Sequence, residues 1–142
     1  MKKNKLLAFV LVVALILTMP AFAAETRASD QINRHDIKVT ELPGEVGIKA
    51  SIFGVAPMNK IGCQSIYLYK EYGTGWLLVD RLRENYDDNM YSTNASAHMA
   101  NYYFDTIAGV EYRLDITLFA ENDEGRDTVS QTFYVTGKPG NS

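Results

Sequence analysis

From residue 32 onward, apolar and polar side chains alternate with a period of two. Successive residues of a strand point to opposite faces, so this pattern builds half-buried strands and does not build helices. The clearest run is Glu111 to Glu121. Tyr112, Leu114, Ile116, Leu118 and Ala120 share one face of it, and Arg113, Asp115, Thr117 and Glu121 share the other. Val46, Ile48, Ala50 and Ile52 repeat the pattern, with Lys49 and Ser51 opposite. No later segment carries a sustained apolar stripe at helical spacing.

Turn residues divide the alternation into seven predicted strands. Ile37 and Val39 mark the first, and Pro43-Gly44 then suits a type II turn. Val46 to Ile52 is the second, and residues 54–62, with Gly54, Pro57, Asn59 and Gly62, read as a loop. Ile61 to Glu71 and Trp76 to Leu82 form a pair across Gly73-Thr74-Gly75. Residues 83–94 read as loop, because Asp, Asn, Ser and Thr dominate there. Ala97 to Thr106, Glu111 to Glu121 and Thr128 to Val135 complete the set. Seven short strands, each with one apolar face, predict an all-β antiparallel sandwich over residues 32–136, with an up-and-down barrel as the alternative.

The stretch before this domain is of a different kind. Lys2, Lys3 and Lys5 precede an uncharged apolar run from Leu6 to Met19, broken by Pro20 and followed by Ala21-Phe22-Ala23. Such an order predicts a cleavable secretory signal peptide over residues 1–23, since the run is shorter than the roughly 20 residues of a spanning helix. Residues 24–31 would then be a flexible mature N-terminus, and residues 137–142 a polar tail. Cleavage after Ala23 removes three of the 14 Lys and Arg and none of the 17 Asp and Glu, leaving 11 against 17, a net charge of −6. An acidic body repels phosphate backbones and anionic headgroups, which argues against nucleic acid as a partner. No apolar run in the mature chain is long enough to span a membrane. The expected address is secreted, with cell-envelope association as a variant. Cys63 is the single cysteine, so no internal disulfide is expected. A buried small hydrophobe is the expected role; an intermolecular disulfide or a reactive thiol is the alternative.

Two stretches are family-like. Gly109-Val110-Glu111-Tyr112-Arg113-Leu114-Asp115-Ile116, followed by Asn122 and Gly125, resembles the strand pair that closes a fibronectin type III domain. That resemblance implies an Ig-like, fibronectin type III-like sandwich. It also implies a tyrosine corner in which Tyr112, led by Gly109, bonds back to the preceding connection. Ala108, Thr106 and the position of Trp76 depart from the usual pattern and favour a looser Ig-like relative. Tyr67-Leu68-Tyr69-Lys70, Gly75-Trp76 with Val79, and Gly109 to Arg113 together resemble a group of small secreted proteins of Gram-positive bacteria. That second resemblance implies a fold and an address but no activity.

Catalytic signatures are sparse. His35 and His98 lie far apart without a motif, and neither G-x-S-x-G nor H-E-x-x-H occurs. His98 reads as a strand-edge residue. Asp87, Asp88, Asp105 and Glu111 read as surface charge, not as a glycosidase pair. Asn122-Asp123-Glu124 with Asp127, and Asp87-Asp88-Asn89, lack the calcium-loop spacing and read as solvated turns. Asn94-Ala95-Ser96 matches the N-glycosylation pattern by chance. No catalytic, cofactor or metal site is therefore expected. The distinctive feature is aromatic. With Ile66 and Leu68 facing the core, Tyr67 and Tyr69 face outward, and Tyr72 and Trp76 flank the following turn. Rows of exposed rings anchor protein partners and stack on sugars. The expected function is a non-catalytic extracellular interaction module with a protein or glycan partner. The alternatives are a small hydrolase or inhibitor with a site built from loops 54–62 and 83–96, and a self-associating envelope component.

Overall fold

The computed structural model describes residues 29–140, and the signal-like segment 1–23 lies outside them. Every regular element among the described residues is a β-strand. There are six: β1 (Ile32–Leu42), β2 (Glu45–Tyr72), β3 (Gly75–Arg83), β4 (Tyr91–Asp105), β5 (Glu111–Asn122) and β6 (Gly125–Thr136). All inter-strand ladders are antiparallel.

β2 organises the molecule. Its first half is flanked by β1 and β4, giving the order β1-β2-β4. Its second half is flanked by β3 and β5, with β6 beyond, giving β3-β2-β5-β6. At Lys60 and Ile61 the strand is paired on both sides, with Thr93 and Ser92 of β4 and with Glu121 and Ala120 of β5. The two layers are thus one antiparallel sheet curled on itself into a half-barrel.

The predicted count of seven is corrected to six, because residues 54–62 are strand and not loop. The β4 ladder shifts between Phe53 and Met58, and Pro57 falls inside that irregularity, where a missing N–H costs no ladder bond. Met58 is fully buried at the bend, and this fixes the path. A second irregularity, between Cys63 and Ser65, reverses the inward parity of β2. Val46, Ile48, Ala50 and Ile52 point in before the bend; Ile61 and Cys63 follow, and then Ile66 and Leu68. β4 begins at Tyr91, six residues before the predicted Ala97, so the true connection is short.

One side of the half-barrel is tied shut and the other is open. Gly44 N–H donates to the Lys138 carbonyl at 3.0 Å, and Thr136 N–H donates to Glu41 Oε1 at 2.8 Å. Asp127 Oδ2 accepts from Ser29 Oγ at 2.6 Å and from Gln31 N–H at 3.0 Å. These bonds hold β1 beside β6 at both ends. On the opposite side, among the described residues, β3 and β4 each pair only with β2, so each leaves one edge unpaired.

Candidate functional site

The outer face of the β3-β2-β5-β6 layer carries the aromatic cluster. Directly paired residues of an antiparallel ladder share a face. Tyr69 pairs with Leu78 on β3 and Arg113 on β5, and Arg113 pairs with Tyr134 on β6. Tyr67 pairs with Arg81 and Asp115, and Trp76 with Glu71. Tyr67, Tyr69 and Trp76 therefore lie outward, each partly exposed. Tyr72 pairs with Gly75 at the hairpin tip, 68% exposed, and alternation turns it away from the other three.

Arg113 is the centre of this face. Its guanidinium lies 4.4 Å from the Tyr69 ring centre and 5.5 Å from that of Trp76. Nη2 is 3.3 Å from Asp115 Oδ2, and Asp115 Oδ1 accepts from Thr132 Oγ1 at 2.9 Å. Nε of Arg113 is buried without a hydrogen-bond partner. Trp76 packs against Tyr134 with ring centres 5.8 Å apart and a 50° tilt, and Tyr67 against Tyr69 at 6.5 Å and 41°. A hollow of about 280 Å³ opens beside this group, between Trp76, Glu111 and Tyr134. Sequence reasoning missed Arg113 and Tyr134. The alternation of β5 placed Arg113 outward, but only the pairing register brings it and Tyr134 under Trp76.

Tyr112 lies on the inner face, 3% exposed, and its hydroxyl accepts from Ile107 N–H at 2.8 Å. Gly109, three residues earlier, has φ +77°, a conformation that a side chain makes unfavourable. The bond spans the connection between β4 and β5, where an orphaned amide would otherwise be half-buried.

A second polar assembly was not legible in the sequence. Glu84, 9% exposed, receives Arg126 Nη1 on Oε1 at 2.8 Å and Nη2 on Oε2 at 2.9 Å. Lys60 Nζ adds a contact to Oε2 at 3.3 Å, and Arg126 Nε donates to Glu121 Oε1 at 3.0 Å. The Arg126 guanidinium covers the ring of Phe119 at 3.9 Å, which explains why Phe119 is fully buried on an outward position. Burial alone would raise the Glu84 carboxyl; the bonds from Arg126 and then Lys60 outweigh it and hold the group below its ordinary value. Beneath this clamp, a Cβ on Gly62 would strike the Met90 carbonyl oxygen, so the connection from β3 to β4 lies directly on the β2 backbone.

His98 lies on an edge strand, as expected from sequence, but its side chain is turned away from solvent. It is 7% exposed on the inner face of β4. Nδ1 is 2.8 Å from Ser92 Oγ, and Nε2 is 3.0 Å from the Asn89 carbonyl, which also accepts from Tyr102 Oη at 2.8 Å. A carbonyl can only accept, so Nε2 carries the proton and Nδ1 takes the serine hydroxyl. Burial holds the imidazole below its ordinary value, the Asn89 bond opposing only in part, so the ring is neutral near pH 7. Its work is to fasten the β3–β4 connection to β4. His35 is exposed on β1. Cys63 is fully buried, and burial pushes its thiol up to about 12.

The acidic turns are taken up internally. Asn122 Oδ1 accepts from Glu124 N–H at 2.9 Å, Asp123 Oδ1 from Asn59 Nδ2 at 2.7 Å, and Asp87 Oδ2 from Arg83 N–H at 2.7 Å. Among the described residues, no three His, Cys, Asp or Glu side chains converge as metal ligands do.

No family model matches the chain, and no curated protein matches it. Solved structures similar to the chain include two proteins of low identity. One is a hypothetical protein from Pyrococcus horikoshii, at 19% identity and a TM-score of 0.40, covering 77% of this chain and 94% of that one. The other is the sporulation control protein Spo0M from Bacillus subtilis, at 13% identity and a TM-score of 0.40. It covers 77% of this chain and 49% of its own. Neither likeness carries weight at that score.

Proposed function

We propose that this protein is a secreted, non-catalytic binding module that engages a protein partner through the aromatic face around Arg113. The carrying observation is the convergence of Tyr67, Tyr69, Trp76, Tyr134 and Arg113 from four adjacent strands onto one partly exposed surface. Trp, Tyr and Arg are the residues that dominate binding energy at protein interfaces. The rings tilt against each other by 41° and 50°, whereas a sugar-stacking platform needs a flat exposed ring face. The guanidinium already occupies the space between two of them. Both features favour a protein over a glycan. A framework of paired strands holds the rings, so little ordering free energy is lost on docking.

The finer fold reading supports a module of this kind. Sandwiches of the immunoglobulin class join strands one, two and five in one layer and three, six and seven in the other. Here β1-β2-β4 and β2-β5-β6 follow that scheme if the two halves of β2 stand for the second and third strands. β3 then lies beside the third strand. The Tyr112 bond falls at the corner where such domains carry their tyrosine. The extracellular address rests on the order of residues 1–23.

The test is capture from envelope and culture fractions by the wild type and by a Tyr67→Ala/Tyr134→Ala variant, with a glycan array alongside. The expected result is a protein retained by the wild type, lost by the variant at an unchanged melt, and a blank array. Retention of the same protein by both forms, or array binding that depends on these rings, would refute the proposal.

A further inference from the structure

The curled sheet has four edges, and three are guarded. β1 and β6 face one another and are tied at both ends, with Glu41 accepting an edge amide of β6. β3 carries a register irregularity opposite Leu68 and Tyr69, and Asp80, Arg81 and Arg83 charge it. Bulges and charges are the usual means of blocking edge-to-edge pairing. β4 has neither. From Phe53↔Ala97 to Glu45↔Asp105 its ladder with β2 runs without a shift. Ala97-His98-Met99-Ala100-Asn101-Tyr102-Tyr103-Phe104 contains no charge, no Pro and no Gly. Its inner side chains are in the core, while Met99 and Tyr103 stand 64% and 57% exposed. Among the described residues no strand covers its second edge.

We infer that the free edge of β4 is a pairing site for the β4 of a second copy, antiparallel about a two-fold axis at Asn101. A continuous antiparallel sheet puts same-face residues opposite each other, so this register sets Met99 against the partner copy's Tyr103 position and Asn101 against itself. The exposed pairs are then thioether with aromatic ring, and amide with amide, both favourable. Asp105, the nearest β4 charge, falls opposite Ala97 and meets no like charge. This matters for an acidic chain, because an uncharged strip adds no like-charge contact to the overall repulsion between copies. Pairing would also satisfy the outward backbone N–H and C=O groups of β4 in kind. The aromatic face belongs to the other layer, so each copy would keep it exposed. The inference stands whether or not that face binds a partner.

Sedimentation velocity over a concentration series tests it, with Asn101→Lys and Asn101→Asp as variants. Asn101 is exposed, and circular dichroism with a thermal melt verifies that the variants fold. The purified wild type should show a reversible monomer–dimer equilibrium. Each variant alone should associate more than about a hundredfold more weakly, because like charges meet at the axis. An equimolar mixture of the two should dimerise again, because Lys then meets Asp. A wild type monomeric into the high micromolar range overturns the inference. So does a folded variant that dimerises as the wild type does, or a mixture that stays monomeric.

Discussion

Replacing Glu84 by Gln tests whether the clamp over Phe119 holds the β3–β4 connection. Gln keeps the volume but removes the charge that two Arg126 nitrogens and Lys60 share. Removing one partner of a buried ion pair costs about 3–5 kcal/mol. Two facts lower that figure here. Arg126 and Lys60 are 26% and 27% exposed, so water reaches both, and Arg126 keeps Glu121. About 2–3 kcal/mol is then the expected loss, and at about 4 °C per kcal/mol for a domain of this size the melt should fall by about 10 °C at pH 7. The effect has a definite pH dependence. Glu84 titrates below its ordinary value in the fold, so its contribution is complete above the unfolded value of about 4.3 and is lost as pH falls through the folded one. The difference between wild type and Glu84→Gln should therefore close in strong acid. His98 also charges on acidification, but it does so in both proteins and cancels in the difference. The assay is thermal unfolding by circular dichroism at neutral pH and in stepwise more acidic buffers. Equal midpoints at neutral pH, or a gap that persists unchanged in strong acid, would refute the reasoning.

Two further outcomes follow from single residues. Tyr112→Phe leaves the Ile107 amide without its partner, so the urea midpoint should drop by the equivalent of about 1–3 kcal/mol; an unchanged midpoint would mean the bond stabilises nothing. Cys63, fully buried with its thiol raised to about 12, should resist a thiol reagent in the native protein and react fully after denaturation, and rapid native labelling would contradict that placement.

The faces of this fold were legible in the sequence, and its connections were not. Tyr112, Leu114, Ile116, Leu118 and Ala120 all point inward, as alternation requires. Ile66 and Leu68 point inward, with Tyr67 and Tyr69 outward, for the same reason. Alternation is local, and each strand carries its own copy of the signal. The bend of β2 is different. Gly54, Pro57, Asn59 and Gly62 are loop residues by composition, yet each suits a strand passing from one layer to the other. Pro57 sits in the irregularity, and Gly62 lies flat against the Met90 backbone. Residues 91–96 escaped notice because Ser92 and Thr93, which pair with that bend, and Asn94 and Ser96 beside them give no apolar face to betray a strand. Phe119 was invisible for a related reason. Its burial depends on Arg126 folding over it, a contact between side chains that no periodicity encodes.

The same distinction separates the two surfaces on which function is proposed here. The Tyr67 and Tyr69 half of the aromatic face is written in one strand, but its centre at Arg113 exists only because β2, β5 and β6 fall into register. The bare edge of β4 is the reverse case. Its neutrality is plain in the sequence, whereas the fact that no strand among the described residues pairs with it belongs to the topology. A chain that charges and bulges β3 and ties β1 to β6 has the means to blunt an edge. Leaving β4 straight and uncharged from Ala97 to Phe104 singles out that stretch of edge as the place where the sheet can be continued.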